Sequence, residues 1–142
     1  MLDDYLDKAI GDLDRLIDLT RHDIEDIKRA NHPAMFQRIE TKESTMQSFE
    51  TYKSLIDRTI ARRAEAHPDS DLEALLSPGS RERLDRMREK LEELHALNRR
   101  FARLVIAVGE FYDSLFSQIV PTESDGYHKK SAKAASLIEV RA

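Results

Sequence analysis

From position 84, reading every third and then every fourth residue gives Leu84, Met87, Leu91, Leu94, Asn98, Phe101, Val105, Val108, Tyr112, Leu115 and Ile119. The alternation runs without a slip, and only Asn98 is polar. It predicts a long helix over residues 80–120 with a seam packed at 3.5-residue spacing against other helices. At 1.5 Å rise per residue such a helix runs roughly 60 Å. Asn98 is placed to set the register of the seam. Over residues 81–100 the other faces are charged, so that half is a narrow stripe on a solvated helix. Beyond Arg103 the flanks turn apolar too: Leu104, Ile106, Phe111, Phe116 and Val120. A helix that is apolar on most faces must be covered on most faces. The cover is either other helices of the chain or another protein. Gly109, inside this zone, costs about 1 kcal/mol relative to Ala and allows close helix approach or a bend.

Two helices are predicted before it. Over residues 2–30, Leu2, Leu6, Ala9, Leu13, Leu16, Thr20, Ile24 and Ile27 hold one face, widened by Tyr5, Ile10 and Ile17. Asp3, Asp4 and Asp7 crowd its start and Lys28 and Arg29 its end, as the helix dipole favours. Asn31-His32-Pro33 reads as a stop and a restart, because the residue before proline is pushed out of helical geometry. The second helix, residues 33–66, has the seam Ile39, Lys42, Met46, Phe49, Lys53, Ile56 and Ile60, with Met35, Phe36, Tyr52 and Leu55 adding apolar area. Two lysines in a seam make it the least buried of the three. After His67-Pro68-Asp69, Ser70 followed by Glu73 resembles a capping box. It opens a short helix whose Leu72, Leu75 and Leu76 plug the end of a core. Ser77-Pro78-Gly79-Ser80 then leads into the long helix.

The reading is therefore all-α: an antiparallel up-down bundle of three long helices with coiled-coil-like packing, plus a short corner helix. Residues 1–120 form the bundle. Residues 121–142 form a C-terminal tail, small and polar, with an apolar hook at Leu137, Ile138 and Val140. This tail reads either as a frayed terminus or as a conditional segment that orders on a partner.

Composition narrows the function. The chain has 142 residues, net charge −4, 35% charged residues and no Cys. A pI near 5.7 lacks the basic face expected of a nucleic-acid binder. No apolar run reaches the roughly 18 residues of a membrane span. The start, Met1-Leu2-Asp3-Asp4, lacks the basic region and apolar core of a signal peptide. The expectation is a cytoplasmic protein that binds neither nucleic acid nor membrane. Glu92 and His95 have the spacing of half a di-iron carboxylate site. The second half is missing, and both residues flank the seam. No phosphate loop, nucleophile elbow or HExxH motif occurs. We expect no enzyme activity, no metal and no cofactor.

The first hairpin reads Leu16-Ile17-Asp18-Leu19-Thr20-Arg21-His22-Asp23-Ile24-Glu25-Asp26-Ile27-Lys28, followed by residues 36–43 and 49–53. With three long helices, an acidic balance and a small polar tail, it resembles the FlgN family of flagellar export chaperones. The family carries a Tyr-Gly segment after its last long helix; here the order is Gly126-Tyr127. The resemblance implies a cytoplasmic chaperone of type III secretion. Such a chaperone binds the C-terminal helical segments of hook-associated proteins through its own C-terminal part and delivers them to the export gate. It maps the client site to residues 108–120 and the tail, with Tyr127 as the gate contact.

Physical reasoning reaches the same region. In an up-down-up array the third helix outruns the second, so its last turns overhang. The predicted partner-binding residues are Phe111, Tyr112, Leu115, Phe116 and Ile119, together with Tyr127, Leu137, Ile138 and Val140. Exposed apolar turns are covered by the tail, a second copy or a client. The hook docks there without client, or joins the client helix in a groove. The other reading is a helical adaptor or self-associating coiled-coil protein without a secretion role.

Overall fold

The structure is a computed structural model and describes residues 1–119. Val120, Tyr127, Leu137, Ile138 and Val140 lie outside the described residues, and Ile119 enters only as the last helical residue. The described chain is all-helical, in four helices that pack together: α1 (Leu2–Lys28), α2 (His32–Ala66), α3 (Leu72–Leu75) and α4 (Pro78–Ile119). Among the described residues no helix is long and apolar enough to cross a membrane.

The ends of the helices follow local chemistry. Asp3 and Asp4 occupy the first turn of α1 and Lys28 its last, which suits the dipole. The helix stops two residues earlier than the sequence pattern suggests. Ala30 takes a left-handed conformation, φ 57°. The Asn31 amide then donates to the Asp26 carbonyl at 2.8 Å and the Ala30 amide to Ile27 at 3.2 Å. This is the Schellman arrangement, usually built on glycine. Pro33 falls in the first turn of α2, where its missing N–H is no loss.

Ser70 does not cap α3. Its amide donates to the His67 carbonyl at 3.1 Å and closes the preceding turn. Asp71 is the capping residue and makes no side-chain capping bond; its carbonyl accepts the amides of Ala74 and Leu75 at 3.0 and 3.2 Å. Nor does Leu72 plug the core: it is exposed, while Leu76, past the end of α3, is buried. At α4 the Ser77 hydroxyl accepts the Ser80 amide at 3.1 Å, and the Ser77 carbonyl accepts Arg81 at 3.0 Å. Ser77 is thus the N-cap and Pro78 the first helical residue, a favoured pairing.

The chain forms two compact units. The first comprises Met1–Leu19 and Gln37–Glu93. Its core is the predicted face of α1, with Leu2, Leu6, Ala9, Ile10, Leu13, Leu16 and Ile17 buried. From α2 only Thr45, Phe49 and Ile56 are buried. Ile39 and Lys53, assigned to the α2 seam by spacing, are exposed, and Lys53 pairs with Asp57 at 3.1 Å instead. Polar pairs fix the register. The Ser80 hydroxyl donates to Asp3, Arg83 Nε to Asp7 at 2.8 Å, and Lys90 pairs with Asp14 at 2.7 Å. Partner numbers rise together along α1 and α4. Along α1 and α2 they run in opposite order: the Tyr5 and Tyr52 rings lie 6.4 Å apart, and the Ser48 hydroxyl donates to Asp12 at 2.6 Å.

The second unit comprises Thr20–Phe36 and, from its other stretch, residues 94–119. Its core is small. Ile24, Ile27 and Phe101 are buried together, and Met35, Leu97, Leu104, Val105 and Val108 pack against them half-buried. It also buries the polar side chains of Thr20, Asp23 and Asn98, so the seam reading placed Asn98 correctly inside.

Candidate functional site

Along α4 the seam passes from buried to open. Phe101 is 5% exposed, whereas Tyr112 and Leu115, further along the same seam, are 37% and 39% exposed. The change follows from where the neighbouring elements of this unit end. α1 stops at Lys28 and α2 begins at His32. The His32 ring meets Tyr112 with centroids 6.4 Å apart. α4 continues from there to Ile119, past the first residue of α2.

Residues three and four apart on a helix are surface neighbours. Phe111 with Leu115 and Tyr112 with Phe116 therefore form one face. Phe111 is the most open, and its ring meets Tyr112 edge-on at 5.7 Å. The four described members of the predicted site are thus brought together and exposed. Ile119 contributes only its backbone position here, and Tyr127, Leu137, Ile138 and Val140 lie outside the described residues.

The same stretch of α4 carries two acidic residues, Glu110 and Asp113, away from this face. Asp113 Oδ1 is buried without a hydrogen-bond partner, while the Asp113 carbonyl accepts the Ser117 hydroxyl at 3.0 Å. The apolar spacing gave no hint of this carboxylate. Phe36, also in this unit and read only as added apolar area, is strongly exposed.

The arrangement offers apolar area. Glu92 and His95 are both exposed, and among the described residues no three acidic, histidine or cysteine side chains cluster to hold a metal ion. In the first unit the Asp7 hydrogen bond raises the Arg83 pKa from its ordinary value; burial opposes this, and the charges of Asp7, Asp3 and Glu82 reinforce it. This pair ties α1 to α4 and lies in the other unit from the exposed face. Compared with known proteins, the chain matches no family model, no curated protein and no solved structure.

Proposed function

We propose that the protein is a cytoplasmic secretion chaperone of the FlgN type. It holds the C-terminal helical segments of hook-associated flagellar proteins and prevents their association before export. The observation that carries this reading is the open face of Phe111, Tyr112, Leu115 and Phe116 at the end of α4. An amphipathic client helix lays its apolar side into such a surface, read as anchors three and four residues apart. The action is burial of apolar area at about 25 cal/mol per Å², with no bond made or broken and no cofactor.

The scaffold in this reading is an antiparallel up-down bundle of three long helices with coiled-coil-like packing. The pairs that rise together along α1 and α4, and run oppositely along α1 and α2, support it. Residues 1–120 are the bundle and residues 121–142 the tail, with Tyr127 as the contact for the export gate.

The test is co-purification of the full-length chain with the C-terminal halves of hook-associated proteins. A Leu115→Asp, Phe116→Asp double variant that keeps its helical signal is expected to lose the client. If it binds as the parent does, the face is not the client site. A tight tetramer in sedimentation, formed without client, supports the self-associating adaptor instead.

A further inference from the structure

Arginines gather on the solvent side of α4 just before its open apolar turns. Arg99, Arg100 and Arg103 are all exposed. On a helix the surface neighbours of a residue stand three and four positions away. None of these arginines has an acidic one: the nearest acids along α4, Glu93 and Glu110, are six and seven positions off. Instead Arg103 stands three and four positions from the other two, and like charges at that spacing repel. Other cations are paired at the same spacing, Arg86 with Glu82 at 3.6 Å and Lys53 with Asp57 at 3.1 Å.

The arginines and the apolar turns share a flank of the helix. Steps of three and four residues run from Arg100 and Arg103 through the half-buried Leu104 and the exposed Ala107 to Phe111 and Leu115. At 1.5 Å per residue Phe111 lies about 12 Å beyond Arg103, and Leu115 about 24 Å beyond Arg99. A helix of about 16 residues laid along this flank meets the cations with one half and the apolar side chains with the other. Charge complementarity across such a contact sets which partner is accepted, and the guanidinium fork suits a carboxylate. What covers the flank should therefore join apolar anchors to acidic residues. A second copy fits less well. Set antiparallel so that its Glu110 meets Arg103, it centres on residues 106–107 and puts its Phe111 and Leu115 beside arginine turns, not apolar ones. A nucleic acid would meet the arginines too, but the chain's net charge is −4, against the basic balance such binders show.

We propose that Arg99, Arg100 and Arg103 select the partner of this flank, an amphipathic helix whose acidic residues lie two to four turns from its apolar anchors. That the partner is a hook-associated segment rests on the function proposed above; the charge requirement does not.

The test uses the full-length chain and two synthetic helical peptides of about 20 residues. Both carry the same apolar stripe over one half; the other half bears glutamates in one peptide and lysines in the other. In about 0.1 M NaCl the glutamate peptide should bind about tenfold more tightly, and the difference should fall to about twofold in about 1 M. R99Q/R100Q/R103Q should erase the preference and R99E/R100E/R103E should invert it, each keeping the helical signal of the parent. Equal affinities in the parent overturn the proposal, as does a preference that both variants keep, or the failure of both peptides to bind. So does a single-stranded DNA of about 20 nucleotides that binds the parent as tightly as the glutamate peptide, which assigns the arginines to phosphates. In the client arm, C-terminal halves of hook-associated proteins should bind R99Q/R100Q/R103Q about tenfold more weakly than the parent. Equal binding overturns the role of the arginines. Failure of the parent to bind any of these halves fails the chaperone reading, while the peptides still decide the charge requirement.

Discussion

The imidazole of His32 and the ring of Tyr112 meet edge to face, with centroids 6.4 Å apart and planes at 64°. His32 is the first residue of α2, so this contact marks the level at which α4 loses its neighbour from α2. An edge-to-face aromatic pair contributes about 0.5–1.5 kcal/mol beyond its area. A double-mutant cycle with His32→Ala and Tyr112→Ala should return a coupling in that range by urea denaturation. A coupling indistinguishable from zero would make the contact incidental.

Ala30 holds a conformation that suits glycine. A left-handed backbone costs an L-residue about 1–2 kcal/mol, and the larger entropy of unfolded glycine offsets part of any gain. Ala30→Gly should stabilise the protein by about 0.5–1 kcal/mol, seen as a higher melting temperature. A lower melting temperature would mean that the αL turn is not under strain.

Gly11 presents the reverse case. It lies inside α1, with no positive φ, and beyond its chain neighbours and the helix's own backbone nothing lies within 4 Å of where a Cβ would stand. Gly11→Ala should add up to about 1 kcal/mol from helix propensity. Denaturant midpoints of the two proteins, at equal slope, measure it.

Arg83 reaches Asp7 at 2.8 Å and Asp3 at 3.4 Å. Its raised pKa means that its contribution is complete at any pH below the ordinary arginine value and is lost only as pH rises through the folded value. Near neutrality the variable to change is therefore salt. Arg83→Gln should lower stability, and the loss should shrink between 0.1 and 1 M NaCl as the Debye length falls from about 10 to about 3 Å. An equal loss at both salts would point to packing of the side chain and not to its charge.

The helices and the inner face of α1 were legible because the spacing of Leu2, Leu6, Leu13 and Leu16 leaves one way to bury them. Asn98 was legible for the same reason. The α2 seam was misread at Ile39 and Lys53, since spacing ranks positions on a face but does not say how much of that face is covered. Asp3 and Asp7 looked like helix-dipole residues. Their partners Ser80 and Arg83 lie on another helix, and a register between helices is not written in either one. The same holds for the corner: Ser70 had the spacing of a cap, but the turn closed by its own amide left Asp71 to serve. Of the candidate face, the apolar members could be listed from the pattern. The orphaned Asp113 oxygen, away from that face, could not, because burial of a single atom depends on everything packed around it.

The bonds from Ser80 to Asp3 and from Arg83 to Asp7 span 77 and 76 positions of chain. A ribosome adding roughly 5–20 residues per second needs several seconds to make the second partner after the first. Throughout that interval the leucine row of α1 has α2 at most as cover. The newborn chain is thus itself an unshielded amphipathic helix for a time, dependent on its surroundings until α4 arrives.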